Sequence, residues 1–252
     1  EAGDFGGAIE ILKDATEEAE RVLGADHPDT LHSRNNLALA YRAAGRLNDA
    51  IPLHEETLTA LARILGPNHP NALTSRNNLA FTYRAAGRVN DAIPLFEETL
   101  EARTRILGPN HPDTLISRNN LADAYRAAGR VNDAIPLFEE TLEALTQLLG
   151  PNHPHTLVIR NNLATAYQKA DRLNEAIPLF EETLEARTRI LGPNHPDTLG
   201  SRNNLATTYQ AAGRLNDAIP LHEETLKALT RILGPDHPGT LGSRNNLATT
   251  YR

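Results

Sequence analysis

Apolar residues recur along this chain in pairs of helical segments, and glycine closes each segment. The first segment of one such pair begins at His69-Pro70 and ends at Gly87. Proline suits the first helical turn because its missing N–H would have no partner there, and glycine readily adopts the left-handed conformation that ends a helix. The spacing of the apolar positions predicts one buried helical face, formed by Leu73, Leu79, Ala80, Tyr83 and Ala86.

The second segment begins near Asn90-Asp91, whose side chains suit a helix N-terminus, and it ends at Gly108-Pro109. Pro94 lies near its start, where proline costs at most about one backbone hydrogen bond. The predicted buried side consists of Ala92, Ile93, Leu95, Leu100, Ile106 and Leu107. The two segments therefore predict a helix pair joined by a short turn.

This pair is repeated with a constant period. The string Arg-Asn-Asn-Leu-Ala recurs every 42 residues without insertion or deletion, beginning at Arg34, Arg76, Arg118, Arg160, Arg202 and Arg244. A stacked array demands such constancy, because each unit must offer the next the same face. We predict a single all-α solenoid over residues 1–252. It comprises a degenerate half repeat at 1–33, repeats at 34–75, 76–117, 118–159, 160–201 and 202–243, and a truncated repeat at 244–252.

Four positions of the repeat carry a family resemblance. Ala80, Tyr83, Gly87 and Ala92 match the consensus of the tetratricopeptide repeat. The usual repeat has about 34 residues, and the longer period here resembles that of kinesin light chain. That resemblance lies in the Leu-Gly-x-x-His-Pro, Asn-Asn-Leu-Ala and Asp-Ala-x-Pro-Leu segments, which are also similar to sensor arrays of bacterial signalling ATPases. It implies an α-solenoid of about twelve antiparallel helices in a right-handed superhelix, and a role in binding proteins or peptides.

Composition narrows the function classes. Only 4% of residues are aromatic, against 40% apolar, and this favours packed helices over a β-sandwich. A net charge of −7 argues against a nucleic-acid partner, and no apolar run suits a membrane span or a signal peptide. Because the chain lacks Cys and Met and begins at Glu1, we expect a cytoplasmic location and a segment of a larger multidomain protein.

Repeated polar residues indicate structure more than chemistry. One histidine per repeat cannot build a shared zinc site, because stacked helices lie roughly 8–10 Å apart and each ligand must reach within about 2.1 Å of the metal. Glutamate pairs such as Glu97-Glu98 occur in five repeats, as a solvated helix face would. No phosphate-binding loop or activated nucleophile is present. We therefore expect no enzyme, no catalytic residue, no metal and no cofactor. The histidines are predicted to be link residues: His27, His69, His111, His153, His195 and His237.

One face of the first helices is the candidate binding site, and it resembles the face that lines the concave groove in tetratricopeptide arrays. Amide side chains can pair with a peptide backbone, and arginine can bind carboxylates of an acidic ligand. The alternative is that an Asn ladder ties the repeats together and that Arg34 and its copies pair with Glu of the second helix. This alternative is favoured for the first Asn of each pair, and the groove for the second. The predicted peptide-binding residues are Asn36, Asn78, Asn120, Asn162, Asn204, Arg42, Arg84, Arg126, Phe81 and Asp123.

The ends of the chain suggest a second function, structural self-assembly. Residues 1–24 align with a second helix, and Glu1-Ala2-Gly3 placed after Arg252 would nearly restore the repeat register. We expect each terminal helix to expose an apolar face, so that copies stack head to tail into filaments or rings. The residues of these two faces are Ala8, Ile9 and Leu12 at the front and Leu241, Leu247 and Tyr251 at the back. Within the array, Asp171 stands where glycine should cap a helix, which predicts a local weak point.

Overall fold

The computed structural model describes residues 5–252, which form twelve α-helices and no β-strand. The fold class predicted from the repeat is therefore confirmed, whereas the junction predicted at Glu1-Ala2-Gly3 lies outside the described residues. The helices are α1 (Phe5–Leu23), α2 (Pro28–Ala43), α3 (Leu47–Leu65), α4 (Pro70–Ala85), α5 (Val89–Leu107), α6 (Pro112–Ala127), α7 (Val131–Leu149), α8 (Pro154–Lys169), α9 (Leu173–Leu191), α10 (Pro196–Ala211), α11 (Leu215–Leu233) and α12 (Pro238–Thr250). Even-numbered helices are the first helices of the repeats, and odd-numbered helices are the second.

The chain divides into two compact units, Glu1–Ala128 and Gly129–Arg252. In the first unit, each of the helices α1 to α6 packs on its neighbour in sequence, and α7 to α12 do the same in the second. Each unit is thus an α-solenoid of antiparallel helix pairs. The continuity of both units in a single solenoid stays a prediction.

Each first helix begins with a histidine cap. The Nδ1 atom of His69 accepts a hydrogen bond from the backbone N–H of Asn71 at 3.2 Å, and Pro70 occupies the first helical position. This bond satisfies one of the donors that a helix N-terminus leaves unpaired. These histidines lie in the links, as the repeat pattern predicts, and they also cap the helices that follow. The same geometry occurs at His27, His111, His153, His195 and His237.

The turn inside each repeat requires a left-handed residue. Gly87 has a φ of 75°, and Asp171 takes the same place in the fourth repeat with a φ of 59°. Asp171 is the one non-glycine residue with positive φ in the described part of the chain. The predicted weak point therefore has a backbone cause, because a β-carbon is disfavoured in this conformation.

Phenylalanines and small residues form the core between helices. Phe96, Phe138 and Phe180 are fully buried on α5, α7 and α9, and fully buried alanines let neighbouring helices approach closely. The buried threonines of the second helices satisfy their hydroxyls locally, as where Thr99 Oγ1 donates to the backbone oxygen of Leu95. Two histidines depart from this pattern: His54 and His222 occupy the phenylalanine position and are also fully buried.

The glutamate pairs connect helices while remaining exposed. The Tyr125 hydroxyl donates to Glu97 at 2.5 Å, joining α6 to α5. The second glutamate, Glu98, lies 3.5 Å from Nε of Arg76 on α4. The equivalent tyrosine of the preceding repeat, Tyr83, donates to Glu55; burial and this bond to a carboxylate raise the pKa of the Tyr83 hydroxyl to about 12.

The terminal helices expose only part of the predicted apolar faces. On α12, Leu241 is 46% exposed and Tyr251, just after the helix, is 60% exposed, whereas Leu247 is half-buried. On α1, Ala8 is exposed and Leu12 is half-buried, but Ile9 is only 6% exposed. The prediction that Ile9 is exposed was therefore wrong. Ile9 is the counterpart of the buried Ile93, and α1 packs against α2.

Candidate functional site

The predicted binding face runs along the first helices, α2, α4 and α6 in one unit and α8, α10 and α12 in the other. Positions three, four and seven residues apart share one side of a helix. On α4 this spacing groups Thr74, Asn77, Asn78 and Phe81, followed by Arg84 in the last turn. Thr74 is exposed and the other four side chains are half-buried, so each is accessible to a ligand.

Paired asparagines bridge adjacent first helices. The amide nitrogen of Asn78 donates to the side-chain oxygen of Asn35 at 3.0 Å, and Asn120 donates to Asn77 at 3.1 Å. Both contacts join the second Asn of one repeat to the first Asn of the preceding repeat. The second unit repeats this Asn ladder, where Asn204 donates to Asn161 at 3.2 Å and Asn246 donates to Asn203 at 2.9 Å.

The Asn ladder changes the interpretation of the candidate asparagines. We expected the ladder to involve the first Asn of each pair and the groove to use the second. In the structure, each ladder contact instead joins a first Asn to a second Asn. Asn120 is also buried, which limits its access to a ligand. Asn36 and Asn162 are half-buried. A ligand contact by any of the five candidate asparagines stays a prediction.

Two arginines share one aromatic ring on this face. The guanidinium carbons of Arg42 on α2 and Arg84 on α4 lie 5.9 and 5.2 Å from the centre of the Phe81 ring. Phe81 in turn packs edge-to-face on the buried Phe96, with the ring centres 5.3 Å apart. The core thus holds the ring that positions both cations. We call Arg42, Phe81 and Arg84 the arginine pair site.

The arginine pair site carries positive charge that no carboxylate of the described residues neutralises. Neither guanidinium forms an ion pair within residues 5–252 of the structure. Burial, and then the neighbouring charge of Arg84, lower the pKa of Arg42 from its usual range. Both effects oppose the charged form of Arg42, and a bound anion would relieve them.

The equivalent place on α6 is already neutralised. Asp123 stands where α4 has Phe81, and its Oδ1 lies 2.8 Å from Nη2 and 3.2 Å from Nε of Arg126. The carboxylate therefore occupies the guanidinium edge that an acidic ligand would need. Of the predicted cationic residues, Arg126 is paired with Asp123, whereas Arg42 and Arg84 form no ion pair within the part of the chain that the structure describes.

The second unit has no arginine at this position. Gln168 on α8 and Gln210 on α10 replace it, and Thr165 and Thr207 replace the aromatic ring. Gln210 accepts a hydrogen bond from the Thr250 hydroxyl at 3.2 Å. The face is thus cationic on α2 and α4 and uncharged at these positions on α8 and α10.

His54 lies in the core of the first unit and was not identified from the sequence. It is 0% exposed, and neither ring nitrogen has a hydrogen-bond partner in the described part of the chain. Burial, and then the charge of Arg42, lower its pKa to about 4. The available signal was the exchange of Phe for His at one position of the repeat. His222 shows the same burial and lack of partners, and burial lowers its pKa.

The site chemistry supports non-covalent binding. Among residues 5–252, no three His, Asp or Glu side chains converge as metal ligands, and no helix is long and apolar enough to cross a membrane. The polar groups that the face offers include amides, hydroxyls and the two guanidiniums of the arginine pair site. These groups can hydrogen-bond a peptide and attract an anion.

Comparisons with known proteins agree with this architecture. The family model described as tetratricopeptide repeat matches residues 1–63, 35–103, 73–147, 119–188, 155–231 and 197–252. No curated protein matches the chain. A solved structure of nearly identical TPR-like repeats, assigned to a kinesin light chain of Podosopora anserina, is 33% identical with a TM-score of 0.75. The match covers 82% of this chain and 98% of that one.

Two more distant structures share the fold alone. BtubC (BKLC) from P. vanneervenii is 22% identical with a TM-score of 0.77, over 93% of this chain and 94% of that one. The apo form of the quorum sensor NprR from B. thuringiensis is 14% identical with a TM-score of 0.64, over 96% of this chain and 64% of that one.

Proposed function

This chain belongs to the tetratricopeptide repeat family, and we propose that it is a scaffold that binds an acidic protein or peptide segment along its first helices. Arrays of this family typically mediate protein–protein interactions. The arginine pair site is the observation that carries the proposal of an acidic ligand. Its two guanidiniums lie against one ring without a carboxylate partner among the described residues.

Electrostatics and geometry both favour an anionic side chain at this site. Arginine binds carboxylates with two parallel hydrogen bonds, and such charge-assisted bonds are stronger than neutral ones. Because Arg42 is desolvated and lies near Arg84, a carboxylate between them restores the charge balance that burial disturbs. The half-buried Asn77 and Asn78 on the same face can contact the backbone of the same peptide.

A matched pair of peptides tests this function. A fluorescein-labelled Gly-Ser peptide with two glutamates should bind the chain, and the same peptide with two glutamines should bind at least about tenfold more weakly. Binding is measured by fluorescence anisotropy. Affinity for the acidic peptide should fall as salt rises, because exposed charges are screened beyond about 10 Å at 0.1 M ionic strength.

Variants locate the binding to the arginine pair site. Arg42→Gln and Arg84→Gln introduce the residue that α8 and α10 carry naturally, so the helices should tolerate it. Each substitution should weaken binding of the acidic peptide by at least about tenfold while leaving the helicity of the chain unchanged. Arg126→Gln is the control, because Asp123 already pairs with Arg126. Equal effects of all three substitutions would contradict the assignment of the site.

Head-to-tail self-association is the second candidate function. It is supported by exposed apolar side chains on the two terminal helices, with Ile11 on α1 71% exposed and Leu241 on α12 46% exposed. We expect sedimentation velocity to show concentration-dependent association that Leu241→Glu removes. A chain that remains monomeric at millimolar concentration would exclude self-association, whereas the proposal of peptide binding would still stand.

A further inference from the structure

A cavity opens on the binding face of the second unit, between α10, α11 and α12. Its volume is about 430 Å³, within the roughly 300–1,000 Å³ of typical ligand pockets. Its apolar walls are formed mainly by Leu199, Leu229, Ile232 and Leu233. Ile232 and Leu233 are 49% and 43% exposed, much as the equivalent side chains of other repeats are, such as Ile106 and Leu107.

Two glycines with open space beside them, Gly200 and Gly242, line this cavity. The equivalent place between α2, α3 and α4 carries His32 and Thr74 instead, and Asn71 stands there in place of a third lining glycine, Gly239. There the cavity measures about 180 Å³, although every lining position has its counterpart in the larger one. Because α4 is followed by α5 and this smaller cavity still stays open, a following helix does not cover the position.

Neither glycine is required by the fold. Both lie inside helices without positive φ, and a β-carbon added at either position would meet no atom within 4 Å. Glycine is the poorest helix former after proline, so each glycine weakens its helix without a packing reason. The consequence that remains visible in the structure is the open apolar space.

We infer that this glycine pocket binds one bulky, uncharged apolar side chain of a bound peptide. The inference rests on the proposed peptide-binding function and adds a second determinant of specificity to it. No lining residue is charged, so the pocket matches an uncharged group and would penalise a charged one. Asn203 and Asn246 of the Asn ladder border the pocket and offer amide groups to a peptide backbone, which a free hydrocarbon lacks.

A fluorinated peptide tests the pocket independently of the acidic site. The probe is an uncharged Gly-Ser peptide with one central 4-fluorophenylalanine, observed by ¹⁹F NMR. The ¹⁹F resonance of the peptide should shift and broaden when the protein is added. An unlabelled competitor with a central leucine should displace it, and one with a central lysine should not. Free fluorobenzene should bind at least about tenfold more weakly than the peptide; equal binding would identify the occupant as a free apolar molecule and overturn the peptide assignment.

Filling the pocket should weaken binding of the probe and raise the stability of the chain. Gly200→Ile introduces the residue that α6 carries as Ile116, and Gly242→Thr introduces the one that α4 carries as Thr74. The double variant should bind the probe at least about tenfold more weakly while its thermal midpoint rises by about 2–4 °C. Unchanged binding in a folded double variant would overturn the inference.

The first unit provides the reciprocal control. His32→Gly together with Thr74→Gly should enlarge the smaller cavity and create a second site for the probe, which raises the stoichiometry. A stoichiometry that stays unchanged would contradict the role given to the glycines.

Dimerisation that Gly200→Ile removes would instead assign the pocket to a second copy of the chain. If this probe binds and the acidic peptide does not, the proposal for the arginine pair site fails while the pocket stands.

Discussion

His54 offers a direct test of how this array tolerates a buried polar residue. Phe96, Phe138 and Phe180 fill the equivalent position and are fully buried, so His54→Phe restores a side chain that the repeat accommodates elsewhere. The substitution removes two buried ring nitrogens that have no hydrogen-bond partner among the described residues. It leaves the helix and its charged neighbour Arg42 in place.

Two separate effects contribute to the expected increase in the free energy of unfolding. A buried polar group without a partner costs about 1–3 kcal/mol, so His54→Phe should stabilise the first unit by about 2 kcal/mol at pH 7. The second effect depends on pH. The pKa of His54 is about 4 in the folded chain, against about 6.5 for a solvent-exposed histidine in the unfolded chain. The unfolded state therefore binds a proton at a higher pH than the folded state does.

Because the pKa of His54 is lower in the folded state than in the unfolded state, acid should destabilise the wild-type chain. Above pH 6.5 both states are neutral and no stability is lost through His54. As the pH falls from 6.5 towards 4, the unfolded state alone gains the proton, and the wild-type chain should lose on the order of 3 kcal/mol relative to the Phe variant. Below pH 4 the difference should become constant. At pH 5 the gap between the two proteins should therefore exceed the gap at pH 7 by about 2 kcal/mol.

The assay must resolve the repeats, because arrays of this kind need not unfold in one step. Amide hydrogen exchange of α3 reports on His54, and exchange of α5 serves as the internal reference. Phe96→His is the reverse variant and should introduce the same instability and pH dependence into α5. If His54→Phe changes neither the protection of α3 at pH 7 nor its decline at pH 5, the assignment of an unsatisfied, neutral His54 is wrong.

Three further substitutions test individual contacts. Asp171→Gly should stabilise the second unit by about 1 kcal/mol, because glycine adopts the φ of 59° without the cost of a β-carbon; thermal unfolding measures the gain. His69→Ala should cost about 1 kcal/mol by removing the cap of α4, and His69→Asn should recover most of it, as judged by urea unfolding. Asn78→Ala should increase hydrogen exchange in α4 by removing the bond to Asn35, and unchanged protection would show that the Asn ladder adds no stability.

Local sequence signals predicted the helices well because each boundary has its own chemistry. The predicted start at Pro70 and the end before Gly87 agree with α4, which spans Pro70–Ala85. The second helix begins at Val89, one residue before the predicted Asn90-Asp91. Arg88 precedes it without a side-chain cap bond, and its Nε donates to Asp91 at 2.7 Å instead. That arrangement has no signature among the usual capping residues.

Contacts between repeats were harder to predict because the period does not reveal which positions face each other. Asn78 and Asn35 are 43 residues apart, one more than the repeat, so the contact joins unlike members of two Asn pairs. The 28-residue separation of Tyr125 and Glu97 likewise depends on how α6 lies against α5. Helical periodicity assigns a residue to a face, whereas these pairings require the stacking geometry of neighbouring helices.

Departures from the repeat are where this chain can acquire specificity, because the shared positions already carry the packing. Asp123, at the position of Phe81, neutralises the arginine of its own repeat without altering the helix. Gly200 and Gly242 leave open space in the lining of a cavity at the expense of helix propensity. Both changes act on the same face of the first helices, while the capping histidines and the paired asparagines recur unchanged. A scaffold of this kind can therefore vary its ligand one repeat at a time without changing how the repeats stack.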